Sequence, residues 1–149
     1  DLRLVLAVSK IVRDLERVGD ELEKVGKLSL ESFDSSDDVG ITEIQRIAEQ
    51  VAKMLSESLT AFARLDINLA KDIFERERKV DKVYQSALRS LATFMIEDPR
   101  NIGRVLNIVW IARSLERVGD HATNIAEYVI YLVQGVDVRH PSVNENSFT

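Results

Sequence analysis

With 149 residues, 45% of them apolar and 30% charged, the chain has enough apolar material for one core and enough charge for helices with wet outer faces. A net charge of −5 and a pI near 5.1 exclude the basic stripe of a nucleic-acid binder, and the lack of cysteine excludes disulfides and thiolate metal sites. No apolar run approaches the roughly 20 residues that span a bilayer, no signal-peptide pattern is present, and six glycines and two prolines leave few turns. A soluble, intracellular, helical protein without membrane insertion is expected. Because it opens at Asp1 without Met and enters helical periodicity at once, it reads as a piece of a longer chain.

Residues 2–30 place Leu4, Val8, Ile11, Leu15, Val18, Leu22 and Val25 in alternating steps of four and three, a helical seam that must bury against something. At 1.5 Å per residue this helix is roughly 43 Å long. Residues 31–40, acidic, Ser-rich and closed by Gly40, read as a linker. Thr42 with Gln45 suggests a capping box for a second helix, which carries Ile44, Ile47, Val51, Leu55, Leu59 (or Ser58), Phe62 and Leu65 to about residue 65. Asp66 reads as the N-cap of a third helix with Leu69, Ile73, Glu77, Val80, Tyr84, Leu88, Leu91 and Met95 near one face. Asp98-Pro99 stops that helix and starts a fourth, whose Ile108, Ile111, Leu115, Val118, Ala122, Ile125, Val129 and Leu132 form the next seam and which ends near Gln134-Gly135. Residues 136–149 are polar and aperiodic, a tail. Trp110, Phe62, Phe74, Tyr84 and Phe94 have the spacing of core or helix-interface residues.

The block Leu-Glu-Arg-Val-Gly-Asp occurs twice, at 15–20 and at 115–120. At this offset of 100, residues 1–30 and 101–130 agree at ten positions, the signature of one supersecondary unit present in two copies. The fold class expected is therefore all-α. Residues 41–135 form a complete three-helix repeat, and residues 1–30 repeat its third helix alone, so that the first three-helix repeat is incomplete and its apolar seam is uncovered. A homo-oligomer that covers the seam is expected.

The shared block puts Glu16 with Asp20, and Glu116 with Asp120, one helical turn apart on a common face. Glu77 stands where its seam calls for an aliphatic residue, and with Asp81 it makes a third such pair. An unmatched charge on a buried seam is costly. Asp81 lies 17 residues before Asp98 and Glu116 lies 18 after it, so an antiparallel turn brings these two pairs to the same height. Four carboxylates across two helices suit hard cations such as Mg, Ca, Mn or iron. Against this stands a plainer reading, in which Arg13, Arg17, Arg113 and Arg117 neutralise the acids as ordinary surface pairs of little energetic weight. The Glu-x-x-His ligands of ferritin-like di-iron proteins are absent around His121 and His140. His121 reads as a partly exposed helix residue. Asn124 extends the Glu116/Asp120 face, but its counterpart in the first copy is Lys24. No Gly-rich phosphate loop, nucleophile signature or general-base His argues for an enzyme.

The doubled Leu-Glu-Arg-Val-Gly-Asp block, the run Glu116 to Glu127, the opening Asp1 to Val5, Ala61 to Ile67 and Phe94 to Asp98 together resemble the PhoU family of phosphate-signalling regulators, from residue 1 to about His140. The resemblance implies two three-helix bundles in tandem. It also implies multinuclear clusters of divalent or trivalent ions (iron, manganese, magnesium or zinc) on Glu77, Asp81, Glu116 and Asp120, and at Glu16 and Asp20, whose first-helix partner is absent here. The function it implies is non-enzymatic: a cytoplasmic negative regulator of the phosphate-starvation response, linking the ATPase subunit of the phosphate ABC transporter to the sensor histidine kinase. The alternatives are a metal-dependent phosphohydrolase and a plain helical interaction scaffold without metal.

Overall fold

Residues 1–33 and 39–135 are described by the structure, a computed structural model. Among the described residues four helices follow one another: α1 (Leu2–Ser32), α2 (Ile41–Arg64), α3 (Ile67–Glu97) and α4 (Ile102–Gln134), with a 3₁₀ turn at Pro99–Asn101 before the last. The fold is all-α, a three-helix bundle α2–α4 preceded by one long helix. Their ends follow local chemistry. The Asp66 side chain accepts from the Leu69 N–H at 3.0 Å, supplying one of the partners that the first turn of a helix lacks. Asp98 caps both sides of its turn, ending α3 and accepting from the Arg100 N–H at 3.0 Å. Gly135, with φ of 69°, closes α4 in the left-handed conformation that glycine adopts freely. No helix among the described residues is long and apolar enough to cross a membrane.

The capping box at Thr42 does not form. α2 starts two residues earlier than that motif requires, after Gly40, and has no side-chain cap. Gly40 has φ of 81°, and a Cβ there would lie 2.9 Å from Ile108 and 3.0 Å from Leu91. The close approach of these two core side chains fixes the entry to α2 and leaves Thr42 inside the first turn. The linker expected at 31–40 is shorter, because α1 runs on to Ser32 and Arg104 Nε donates to the Ser32 carbonyl at 2.9 Å. The middle of that linker, 34–38, and the tail 136–149 lie outside the described residues.

α4 is the axis of the bundle, with α2, α3 and α1 all packed against it. Its Ile111, Leu115, Val118, Ala122 and Val129 meet Ile47, Val51 and Met54 of α2 and Ile73, Val80 and Tyr84 of α3 in the main core. Each fully buried Ile or Met contributes roughly 1.5–3 kcal/mol of transfer free energy. α1 runs antiparallel to α4. Arg3 lies over Tyr131, Lys10 over Tyr128, Asp14 meets His121, and Glu21 meets Arg117. Near the middle of this series Val18 and Val118, the same residue of the repeated block, are both in the main core.

The buried stripe of α1 is rotated from the expected seam. Ile11 and Val18 are buried and Val25 half-buried, but Leu4, Val8, Leu15 and Leu22 are 44%, 40%, 38% and 47% exposed. The stripe on α4 is made by Ala7, Ile11, Asp14, Val18 and Glu21. Two apolar faces therefore share the helix, one in use and one turned outward. Trp110, expected in a core or interface, is 57% exposed.

Candidate functional site

The antiparallel α3–α4 hairpin brings the two paired-acid turns together. Glu77 is half-buried, at the seam position its spacing marks, while Asp81 is exposed. Burial raises the Glu77 pKa above its ordinary value. The negative charge of Asp120 and, more weakly, of Asp81 adds to this, and a hydrogen bond from Thr123 works against it. Glu116 is raised by burial, then lowered by Arg113 and raised again by Asp120 and Asp81. Asp120 is raised by shielding from water and by Asp81, against the pull of Arg113, His121 and Arg117. Asp120 and Asp81 thus act on both Glu77 and Glu116, which links the two acid pairs across the helices.

Two features bear on whether the site suits a metal. Glu116 Oε1 accepts from Arg113 at 2.7 Å, while Glu116 Oε2 is buried without a hydrogen-bond partner among the described residues. An oxygen-only donor set with an orphaned carboxylate oxygen fits a hard cation. The four carboxyls nevertheless stand apart: among the described residues, no three His, Cys, Asp or Glu side chains are gathered closely enough to ligate one ion. The arrangement is one of facing, mutually repelling acids, partly compensated by Arg113. Glu16 and Asp20 are both exposed on α1, and no third acid is gathered with them among the described residues.

His121 takes a different role from its neighbour Asp120. Its Nδ1 lies 2.7 Å from Asp14 Oδ1, and Asn124 donates to the same oxygen at 3.1 Å. Asp14 is 5% exposed, so a buried acid of α1 is held by two polar groups of α4. Asn124 therefore serves the helix–helix seam and not the Glu116/Asp120 face. Asp14 escaped the sequence reading; its only signal was an acid at a position that continues the stripe Ala7, Ile11, Val18. Tyr84, buried in the core, has its pKa raised by burial and by Glu116.

A helical bundle built from a repeated helix, with paired acids facing across a hairpin, defines a narrow class. Residues 44–129 match the model of the PhoU domain. The chain is 53% identical over 141 residues to the phosphate-specific transport system accessory protein PhoU homolog of Pseudomonas aeruginosa, covering 94% of this chain and 58% of that protein. It is 40% identical over 145 residues to the phosphate-specific transport system accessory protein PhoU of Escherichia coli, covering 97% and 60%. The crystal structure of PhoU from Pseudomonas aeruginosa superposes with a TM-score of 0.86 at 52% identity, over 91% of this chain and 66% of that one. The phosphate transport system regulatory protein PhoU of Streptococcus pneumoniae gives 0.80 at 25% identity, over 93% and 65%. The chain belongs to the PhoU family. It spans about three-fifths of the length of those two curated relatives.

Proposed function

We propose that the protein is a non-enzymatic accessory regulator of phosphate transport, acting in the cytoplasm as a negative regulator of the phosphate-starvation response. It bridges the ATPase subunit of the phosphate ABC transporter and the sensor histidine kinase, with a homo-oligomer as the working form. The observation that carries the reading is the family match, since relatives of 40% and 53% identity are named as accessory proteins of the phosphate-specific transport system. A helical surface with acidic faces is suited to binding other proteins, and the described residues offer no feature that favours the hydrolase alternative.

Within this reading Glu77, Asp81, Glu116 and Asp120 hold a divalent or trivalent cation, for which the buried, unpartnered Glu116 Oε2 and the mutual repulsion of the acids are the support. Such an ion neutralises the repulsion and ties α3 to α4. The plain scaffold is the second reading, favoured by the Arg113–Glu116 pair, which offsets part of the charge without metal. Metal content by plasma mass spectrometry separates the two. The parent and a Glu116→Ala/Asp120→Ala variant are incubated with Mn, Fe or Mg and desalted. Metal retained by the parent and lost by the variant supports the centre; no retained metal in either leaves the scaffold. The adaptor itself is tested by co-purification of the full-length protein with the ATPase subunit and the kinase, and fails if neither is retained.

A further inference from the structure

The cations nearest the paired acids of α3 and α4 are unequally placed. Arg78 pairs with Glu75, Arg117 with Glu21, and His121 lies on Asp14, so each meets an acid outside the face. Arg113 is turned into it. Its Nη1 donates to Glu116 Oε1 at 2.7 Å, and its charge pulls the Glu116 and Asp120 pKa values down against burial. Its charge and a hydrogen bond also reach the buried Tyr84 of α3. One guanidinium thus spans the two helices that carry the acids. The repeat carries the same arrangement: Arg13 precedes Glu16 by three residues, as Arg113 precedes Glu116. The doubled unit is an acid pair together with its own cation.

Arg113 compensates only part of this charge. Glu116 Oε2 stays buried without a hydrogen-bond partner among the described residues, and Glu77 still feels Asp120 and Asp81. The guanidinium is also held loosely. Its side chain is 44% exposed, and it bonds one oxygen of Glu116 where a bidentate fork would hold two. A partly exposed pair of this kind opens at small cost. A hard divalent ion takes six or more oxygen ligands, carboxylates among them. At this face it needs the Glu116 carboxylate that Arg113 occupies, and two cations on one carboxylate repel each other.

We propose that Arg113 is the resident cation of this face, and that a divalent ion binds there only by displacing its guanidinium from Glu116. Arg113 then sets the concentration of metal at which the face is occupied. The competition rests on the metal reading of these acids given above, and it is tested with Mn²⁺, whose free ion is counted by electron paramagnetic resonance. Arg113→Met is expected to bind Mn²⁺ at least tenfold more tightly than the parent. Arg113→Lys, which keeps the charge, should stay within threefold of the parent. Lys27→Met, the same charge change at an exposed site on α1, should stay within twofold. In chelator, Arg113→Met should lower the urea midpoint of the parent and leave that of a Glu116→Gln/Asp120→Asn background unchanged. Circular dichroism shows that each variant is folded. Mn²⁺ bound by the parent but no more tightly by Arg113→Met overturns the competition and leaves the metal centre standing. An equal gain in Lys27→Met, or an equal midpoint loss in both backgrounds, overturns it too. Mn²⁺ bound by neither parent nor Arg113→Met removes the metal centre itself, and the competition with it.

Discussion

The acids facing across α3 and α4 carry a stability cost that can be read directly. Like charges one turn apart destabilise a helix by roughly 0.2–0.5 kcal/mol per pair, and here two pairs face each other. In chelator, Glu77→Gln/Asp120→Asn is therefore expected to raise Tm, with a gain on the order of 1 kcal/mol in a thermal melt. The gain has a defined pH dependence. Glu77, Glu116 and Asp120 have folded pKa values raised above their ordinary ones, so their contribution is full below the ordinary carboxylate pKa and lost as pH rises through the folded values. The advantage of the variant should thus be largest at about pH 7 and above, and should vanish near pH 4; an advantage that grows on acidification would contradict the assignment. Glu77 was legible in the sequence because a charge interrupts an apolar seam. Asp14 was not, because its partners His121 and Asn124 lie 107 and 110 residues away and depend on how α1 registers on α4. Asp14→Ala removes the acceptor for both and is expected to cost about 1–3 kcal/mol in urea unfolding.

At the scale of the elements, the seams of α2, α3 and α4 and most ends could be read from three- and four-residue steps and from Asp66, Asp98-Pro99 and Gly135. Where the reading failed, tertiary packing had overridden a local signal: Thr42 and Gln45 have the spacing of a capping box, but Ile108 and Leu91 hold Gly40 in a conformation that starts the helix earlier. Gly40→Ala should consequently destabilise by about 1–3 kcal/mol, from the strained φ and from the contact its Cβ would make. The end of α2 gives the opposite case. Leu65 caps it with φ of 51°, a conformation costly for a residue with a Cβ, and its side chain is 50% exposed. Leu65→Gly relieves that strain and loses little buried surface, so a gain of about 0.5–1 kcal/mol is expected. Paired denaturant curves of the two variants should move in opposite directions from the parent.

For the whole molecule, the repeat explains why α1 carries two apolar faces. One stripe, through Ile11 and Val18, is used against α4; the other, through Leu4, Val8, Leu15 and Leu22, has the spacing of a bundle helix and faces outward. Which stripe α4 takes is not legible from the spacing, since Ile11 and Val18 sit at the margin of the seam, and the buried stripe includes Asp14 and Glu21, which only the antiparallel register matches to His121 and Arg117. Contiguous apolar surface of this kind is rarely left to water. The 149-residue chain should therefore self-associate at micromolar concentration in light scattering. Leu15→Glu/Leu22→Glu places two like charges on the outward stripe and touches neither the α1–α4 seam nor the acids of α3, so it is expected to yield a monomer with the helix content and Tm of the folded bundle retained. A parent that is monomeric, or a variant that associates as strongly as the parent, would assign the outward stripe no part in assembly and remove the homo-oligomer from the proposed function.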